Sequence, residues 1–332
     1  MPKILSYNDQ SVTEAATIIS RGGILAFPTE TVYGLGANAL DGQAVAKIFE
    51  AKDRPDFNPL IVHFSDRSIV EHYVEMNETA RQLVSHFWPG ALTLVLPLKP
   101  DTGISDLCTA GLKTLAVRVP AHRTAQALLK AAAVPIAAPS ANLSGTISPT
   151  SPLHVIKSLG DRVSHILADG FADVGLESTI LDVTGKTPVL LRPGSITIEQ
   201  IETDLGIQIR KTPDDTIEND ETPSAPGQLS KHYAPSIPVR MNAVDVEEGE
   251  ALLAFGSTRF MSLRGGGHVS LLSQDAARNL SEEGDLYEAA SNLFKMLHDL
   301  DQDKFKAIAV MPIPQNGVGH AINDRLRRAA KK

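Results

Sequence analysis

The chain is poor in several features that would set its class at once. It has one cysteine, Cys108, in 332 residues, so no intramolecular disulfide can form. That fits a reducing compartment. Its longest apolar runs, such as "ALTLVLPL" and "KAIAVMPIP", are far too short to cross a bilayer. The opening "MPKILSYNDQ" has neither an apolar signal region nor a small-residue cleavage site. A soluble cytoplasmic protein without a membrane partner is the expectation. Basic residues are in the minority, 31 against 39 acids, for a net charge of -8. Wholesale coating of nucleic acid or an anionic membrane is excluded, and any polyanion site must be local.

Several chemical signatures are missing too. No complete G-x-x-x-x-G-K-[ST] loop occurs. "TGKTP" supplies its end, but Ile180 stands where the first glycine belongs. No histidine has another three or four residues away, so zinc on a helix is unsupported and no metal ligands are assigned. G-x-S-x-G is absent. "GLGANA" matches G-x-G-x-x-A through Gly34, Gly36 and Ala39, but "PTETVY" separates it from the preceding strand, which is wrong for a dinucleotide turn.

What is present is an α/β alternation. "SVTEAATIISRGG", "GQAVAKIFEAK", "ETARQLVSHFW" and "HRTAQALLKAAA" read as helices between short apolar strands such as "ILAFPT", "PLIVHF", "ALTLVLPL" and "TLAVRVP". The later strands "HILADG", "STILDVTG" and "PVLLRPG" predict a twisted mixed sheet. "KTPDDTIENDETP" holds five acids and two prolines and reads as a spacer. The alternation resumes from about residue 238: "ALLAFGS", "HVSLLS" and "AIAVMPIP" as strands, "LYEAASNLFKMLHDL" and "HAINDRLRRAAKK" as helices. The expected division is a first domain over 1–207, a linker and lid over 208–237, and a smaller Rossmann-like α/β domain over 238–332.

Polar residues gather at the predicted strand ends of the first domain. "FPTETVYGLG" carries Thr29, Glu30, Thr31 and Tyr33; "APSANLSGTISPT" carries Ser140, Asn142, Ser144, Thr146 and Ser148. Arg118 lies inside the apolar "LAVRVP" and must pair, most simply with a carboxylate or a phosphate; an internal salt bridge is the structural alternative. Ser178 and Thr179 precede a strand and Arg192 follows one. Lys52 and Arg54, two apart in "AKDRPDFNPLIVHF", read as one arm of a phosphate clamp.

Taken in order, "GGILAFPTETVYGLG", "KDRPDFNPLIVHF", "WPGALTLVL", "VRVP", "APSANLSG", "ESTILDV" and "LRPGSI" resemble the YrdC-like family. "APG…KHYAP" and "GVGHAINDRLRRAA" resemble its longer, two-domain form, which makes L-threonylcarbamoyladenylate. The resemblance implies a nucleotidyltransferase that converts L-threonine, bicarbonate or CO2 and ATP to that adenylate and pyrophosphate. A separate tRNA threonylcarbamoyl transferase consumes the product. It implies catalytic roles for Lys52 and Arg54, threonine contacts from Thr31, His63, Arg118 and Ser178, and ATP contacts from Lys52, Arg54, Asn58, Thr114, Ser140, Asn142, Ser148 and Arg192. Lys231, His232 and Tyr233 would reach ATP as part of a lid. Mg2+ is expected with ATP, held by phosphates and water. A competing class is an RNA-binding module using the basic "RLRRAAKK" tail; net charge and the lack of an aromatic basic stripe weigh against it, and direct tRNA binding stays open. A carbamoyl-transfer enzyme is a third reading, but such proteins carry cysteine pairs that are lacking here.

Overall fold

The computed structural model describes residues 1–55, 58–211 and 232–331. Lys231 and nearly all of the acidic spacer lie outside the described residues.

Among the described residues, one mixed sheet of eleven strands organises the first domain. Its order is Lys3–Ser6, His165–Ala168, Leu25–Phe27, Gly34–Asn38, Ile136–Ala137, Ile61–His63, Thr114–Arg118, Leu92–Pro97, Thr179–Asp182, Val189–Arg192 and Arg210–Lys211. Period-two alternation sends neighbouring side chains into different cores. Leu25 and Phe27 join Ala16, Ile19, Leu128 and Leu129 from helices Asp9–Ser20 and Arg123–Ala132. Ala26 faces the other way, into the core formed with Val45, Ile48, Leu83 and Val84 of helices Gly42–Lys52 and Glu78–Phe87. Capping fixes where these helices begin: the Asn8 side chain accepts from Ser11 N, and Asp41 accepts from Gln43 N and Ala44 N.

"GLGANA" is itself a strand, Gly34–Asn38, returning antiparallel to Leu25–Phe27. Its glycines serve packing. A Cβ on Gly36 would stand 2.8 Å from the Phe27 ring and 2.9 Å from Ile136 Cγ2. "PTETVY" is the hairpin connection, and it carries polar residues to one end of the sheet.

The second domain has a parallel sheet ordered Val239–Arg240, Ala307–Val310, Glu250–Ala254, Ala277–Asn279. Helices Leu286–Leu300 and Gly319–Ala330 cover one face. The predicted strand in "HVSLLS" is instead a short 3-10 turn, Val269–Leu271. The His268 side chain accepts from Ser270 N, and Leu271 is exposed, so the apolar alternation there does not mark a buried strand.

The domains share a core. Val32, Ile147 and Leu176 of the first domain pack with Tyr233 and with Leu293, Phe294 and Leu297 of the second. Gly175 permits the closest approach: its φ is +68°, and a Cβ there would lie 2.5 Å from Ser291 O.

Candidate active site

The polar ends of the central strands enclose a cavity. Strand Ile61–His63 runs parallel to Thr114–Arg118, with His63 opposite Arg118. Strand Leu92–Pro97 runs parallel to Thr179–Asp182, which places Thr93 beside Ser178, their hydroxyls 2.7 Å apart. Around this floor stand Thr29, Thr31, Arg54, Ser140, Glu177 and Arg192, with His232 and Tyr233 across the top. The free space is about 60 Å3. That is well below the ~300 Å3 at the small end of ligand pockets, because the segment at 232–233 fills the mouth.

Arg118 makes two hydrogen bonds and one ion pair, and among the described residues its Nη2 has no hydrogen-bond partner beyond that pair. Its Nε donates to Gly90 O at 3.0 Å, Nη1 to Thr31 Oγ1 at 2.9 Å, and Nη2 pairs with Glu30 Oε1 at 2.7 Å. Although burial alone would raise the pKa of Glu30, Arg118 and the Ala121 amide hold it below the usual value, so this carboxylate stays charged. The internal salt bridge, the structural alternative for Arg118, is present in the fold. His63 is driven to a pKa of about 3 by burial and by Arg118, so its ring is neutral at pH 7. Its Nδ1 has no hydrogen-bond partner among the described residues.

The Lys-x-Arg pair divides its work. Lys52 is 1% exposed, and its amine donates to Ser140 O at 2.5 Å and to Asn142 O. It holds the "PSAN" turn in place beneath the cavity. Arg54 lines the cavity itself; Nη2 donates to Pro59 O at 3.1 Å, while Nε is buried without a partner. Burial and, through charge repulsion, Arg192 pull the pKa of Arg54 down to about 10. Arg192 donates from Nε to Ser178 O at 3.0 Å and from Nη2 to Ser178 Oγ at 3.1 Å.

Asn58 is completely buried and does not line the cavity, and among the described residues neither oxygen nor nitrogen of its amide finds a partner. Asn142 donates to Leu143 O and Thr146 O, leaving Oδ1 unpaired. Ser148 donates to Glu177. Thr114 stands apart: it opens the strand that ends at Arg118, four residues and roughly 13 Å away at strand rise, and it does not line the cavity.

Sequence reasoning missed three contributors. Glu177 was hidden beside Ser178, Thr93 inside an apolar strand, and Arg325 in what read as a basic tail. Arg325 Nε donates to Glu177 Oε2 at 3.0 Å. No linear motif joins residues 148 positions apart.

A site lined by three buried arginines and short hydroxyls suits an anionic ligand with several oxygens. Among the described residues Glu177 is the one carboxylate lining the cavity, and both its oxygens are bonded to protein. Among the described residues no group of three or more His, Cys, Asp or Glu could hold a metal ion. No helix among them is long and apolar enough to cross a membrane.

Comparison with known proteins agrees with this geometry. Residues 17–194 match the family described as "Telomere recombination", and residues 196–331 match the family described as "Threonylcarbamoyl-AMP synthase, C-terminal domain". A threonylcarbamoyl-AMP synthase of Bacillus subtilis is 43% identical, covering 98% of this chain and 94% of the relative. One of Schizosaccharomyces pombe is 34% identical, covering 92% and 84%. A crystal structure of Pyrococcus abyssi Sua5 complexed with L-threonine is similar with a TM-score of 0.86 at 38% identity, covering 99% of this chain and 97% of that one.

Proposed function

From the premise that this chain belongs to the two-domain threonylcarbamoyl-AMP synthase family, we propose the reaction its cavity carries out. The enzyme is a nucleotidyltransferase that makes L-threonylcarbamoyl-AMP for tRNA modification. The threonine amine and bicarbonate form a carbamate with loss of water. A carbamate oxygen bonds to the α-phosphorus of ATP as the bond to pyrophosphate breaks.

The observation that carries this reading is the convergence of Arg54, Arg118 and Arg192 on one cavity ringed by Ser and Thr hydroxyls. Such fixed cations lower the barrier by meeting charge as it develops on the phosphates. Arg54 would take the departing pyrophosphate oxygens, with Lys52 adding charge from below while ordering Ser140 and Asn142. Asn142, Asn58 and Ser148 would complete the nucleotide side. His63, Ser178, Thr31 and Arg118 would form the threonine side. Arg118 is already paired with Glu30, so a threonine carboxylate would share it rather than find it free. The neutral His63 ring offers a hydrogen bond without adding charge.

Mg2+ would enter as part of the nucleotide, because the lone lining carboxylate is already bound to Ser148 and Arg325. The cavity is too small for ATP with His232 and Tyr233 seated. This segment would therefore withdraw for loading and return to exclude water from a hydrolysable adenylate. A cytoplasmic enzyme handing its product to a tRNA threonylcarbamoyl transferase follows; the -8 net charge gives no support to broad tRNA binding by this chain.

The test is pyrophosphate release with L-threonine, bicarbonate or ATP omitted in turn. Release that needs all three supports the reading. Release independent of threonine would remove threonine as the acceptor and leave only an ATP-binding site.

A further inference from the structure

We infer that Arg325, on the last helix of the second domain, is a positioning residue for this reaction. It fixes Glu177 and Tyr233 against the cavity and so makes the second domain part of the working site. The inference rests on the adenylate-forming reading above.

Arg325 is the largest fully buried side chain, at 0% exposure. Its guanidinium reaches three elements. Nε donates to Glu177 Oε2 at 3.0 Å, Nη1 donates to Asp324 Oδ2 at 2.7 Å, and the group lies 5.4 Å from the Tyr233 ring centroid. Glu177 passes the constraint onward, since its other oxygen accepts from Ser148. Glu177 and Tyr233 both line the cavity, whereas Arg325 does not. It therefore acts through them and does not itself touch the substrate.

Tyr233 needs such a hold. Its φ is +63°, a backbone conformation that a bulky aromatic residue rarely adopts. Strain of this kind persists only where the surroundings over-determine it. The second domain supplies part of those surroundings, with Phe294 at 5.5 Å from the ring and Arg325 over it, while Val32, Ile147 and Leu176 of the first domain pack in the same cluster. A buried ion pair across a domain interface is a weak source of stability, because desolvation offsets much of the attraction. It is a good source of register, since only one docking geometry satisfies it.

The test is a double-mutant cycle in the full chain, read as kcat and KM of threonine-dependent pyrophosphate release. Arg325→Met is expected to lower kcat by about 10- to 100-fold, the scale set by small misplacements of catalytic groups. Arg325→Lys, which keeps the charge, should recover part of that loss. In a Tyr233→Ala background, Arg325→Met should add less than about twofold, because the two residues act as one unit. An unchanged kcat in Arg325→Met would overturn the inference. So would losses that multiply in the double variant. If Arg325→Met does not fold, Arg325→Lys carries the cycle with the same two outcomes. A wild type without threonine-dependent turnover would sink the function itself; an active wild type with an indifferent Arg325 would sink only this inference.

Discussion

Arginine sits under opposite conditions in the two domains, buried at Arg54 and Arg192 and partly exposed at Arg240. In the first, Arg54 donates to the backbone carbonyls of Asn58 and Pro59, and burial and Arg192 pull its pKa down to about 10. Burial lowers Arg192 as well, with Arg325 and Arg118 adding to the effect. In the second, Arg240 bonds both oxygens of Glu250, which raises its pKa, and Arg328 pairs with Asp324 at 3.0 Å. Arg240 and Arg328 are matched by carboxylates of their own domain. Arg54 and Arg192 crowd one another at the cavity, which suits a ligand that brings negative charge.

The largest test of this contrast is removal of a cavity cation. Arg54→Ala should lower kcat/KM for pyrophosphate release about 100- to 1,000-fold, as for loss of a transition-state donor. Arg240→Ala should leave turnover within about twofold while lowering the unfolding free energy, since it abandons Glu250. Equal losses of activity in both would break the comparison.

Lys52→Ala should fall between the two classes. It removes the Lys52 amine and takes a donor from the buried Asn142 carbonyl, a loss of about 1–3 kcal/mol, while Ser140 O keeps its bond from Asn142 N at 3.0 Å. Both turnover and urea midpoint should drop. A midpoint equal to wild type would show that the "PSAN" turn does not depend on the lysine.

Gly36→Ala tests packing alone. Its Cβ would overlap Phe27 and Ile136, and overpacking of this kind costs about 1–3 kcal/mol. A melting temperature unchanged by the substitution would contradict that account of the "GLGANA" strand.

The smallest expected effect is on pH dependence at the domain interface. His154 stacks on His298 at 3.9 Å, and burial lowers the two to about 3 and about 4. Asp299, Lys157 and Lys295 are the charged groups that act on the pair. Histidine in the unfolded chain takes up a proton near pH 6.5, whereas these stay neutral well below that. The unfolded state therefore binds more protons between about pH 4 and 6.5, and stability falls as pH drops through that window. His298→Asn should flatten the slope of melting temperature against pH. An unchanged slope would assign the pH response to other groups.

Much of this was legible in the sequence, and the gaps have physical causes. Short hydroxyl-rich loops after apolar strands marked Thr31, Ser140 and Ser178, because strand ends are where an α/β sheet presents polar groups. Arg118 could be placed because an arginine inside an apolar strand must have a partner. Its partner Glu30 was named among the polar residues of "FPTETVYGLG", but no pattern says which way a hairpin residue turns. The "GLGANA" strand was read as a failed dinucleotide turn, since two glycines mask the alternation that packing against Phe27 restores. The helix ending in "RLRRAA" was visible, but the burial of Arg325 was not. A charged residue on an amphipathic helix reads as solvated until another domain covers it.

Asn58 offers the most direct test that unpaired polar atoms mark the ligand site. It is 0% exposed with both amide atoms unpaired. Asn58→Leu should raise the unfolding free energy by about 1–3 kcal/mol, the penalty of burying an amide without hydrogen bonds, while lowering turnover with ATP and L-threonine. A less stable protein with full activity would contradict the account.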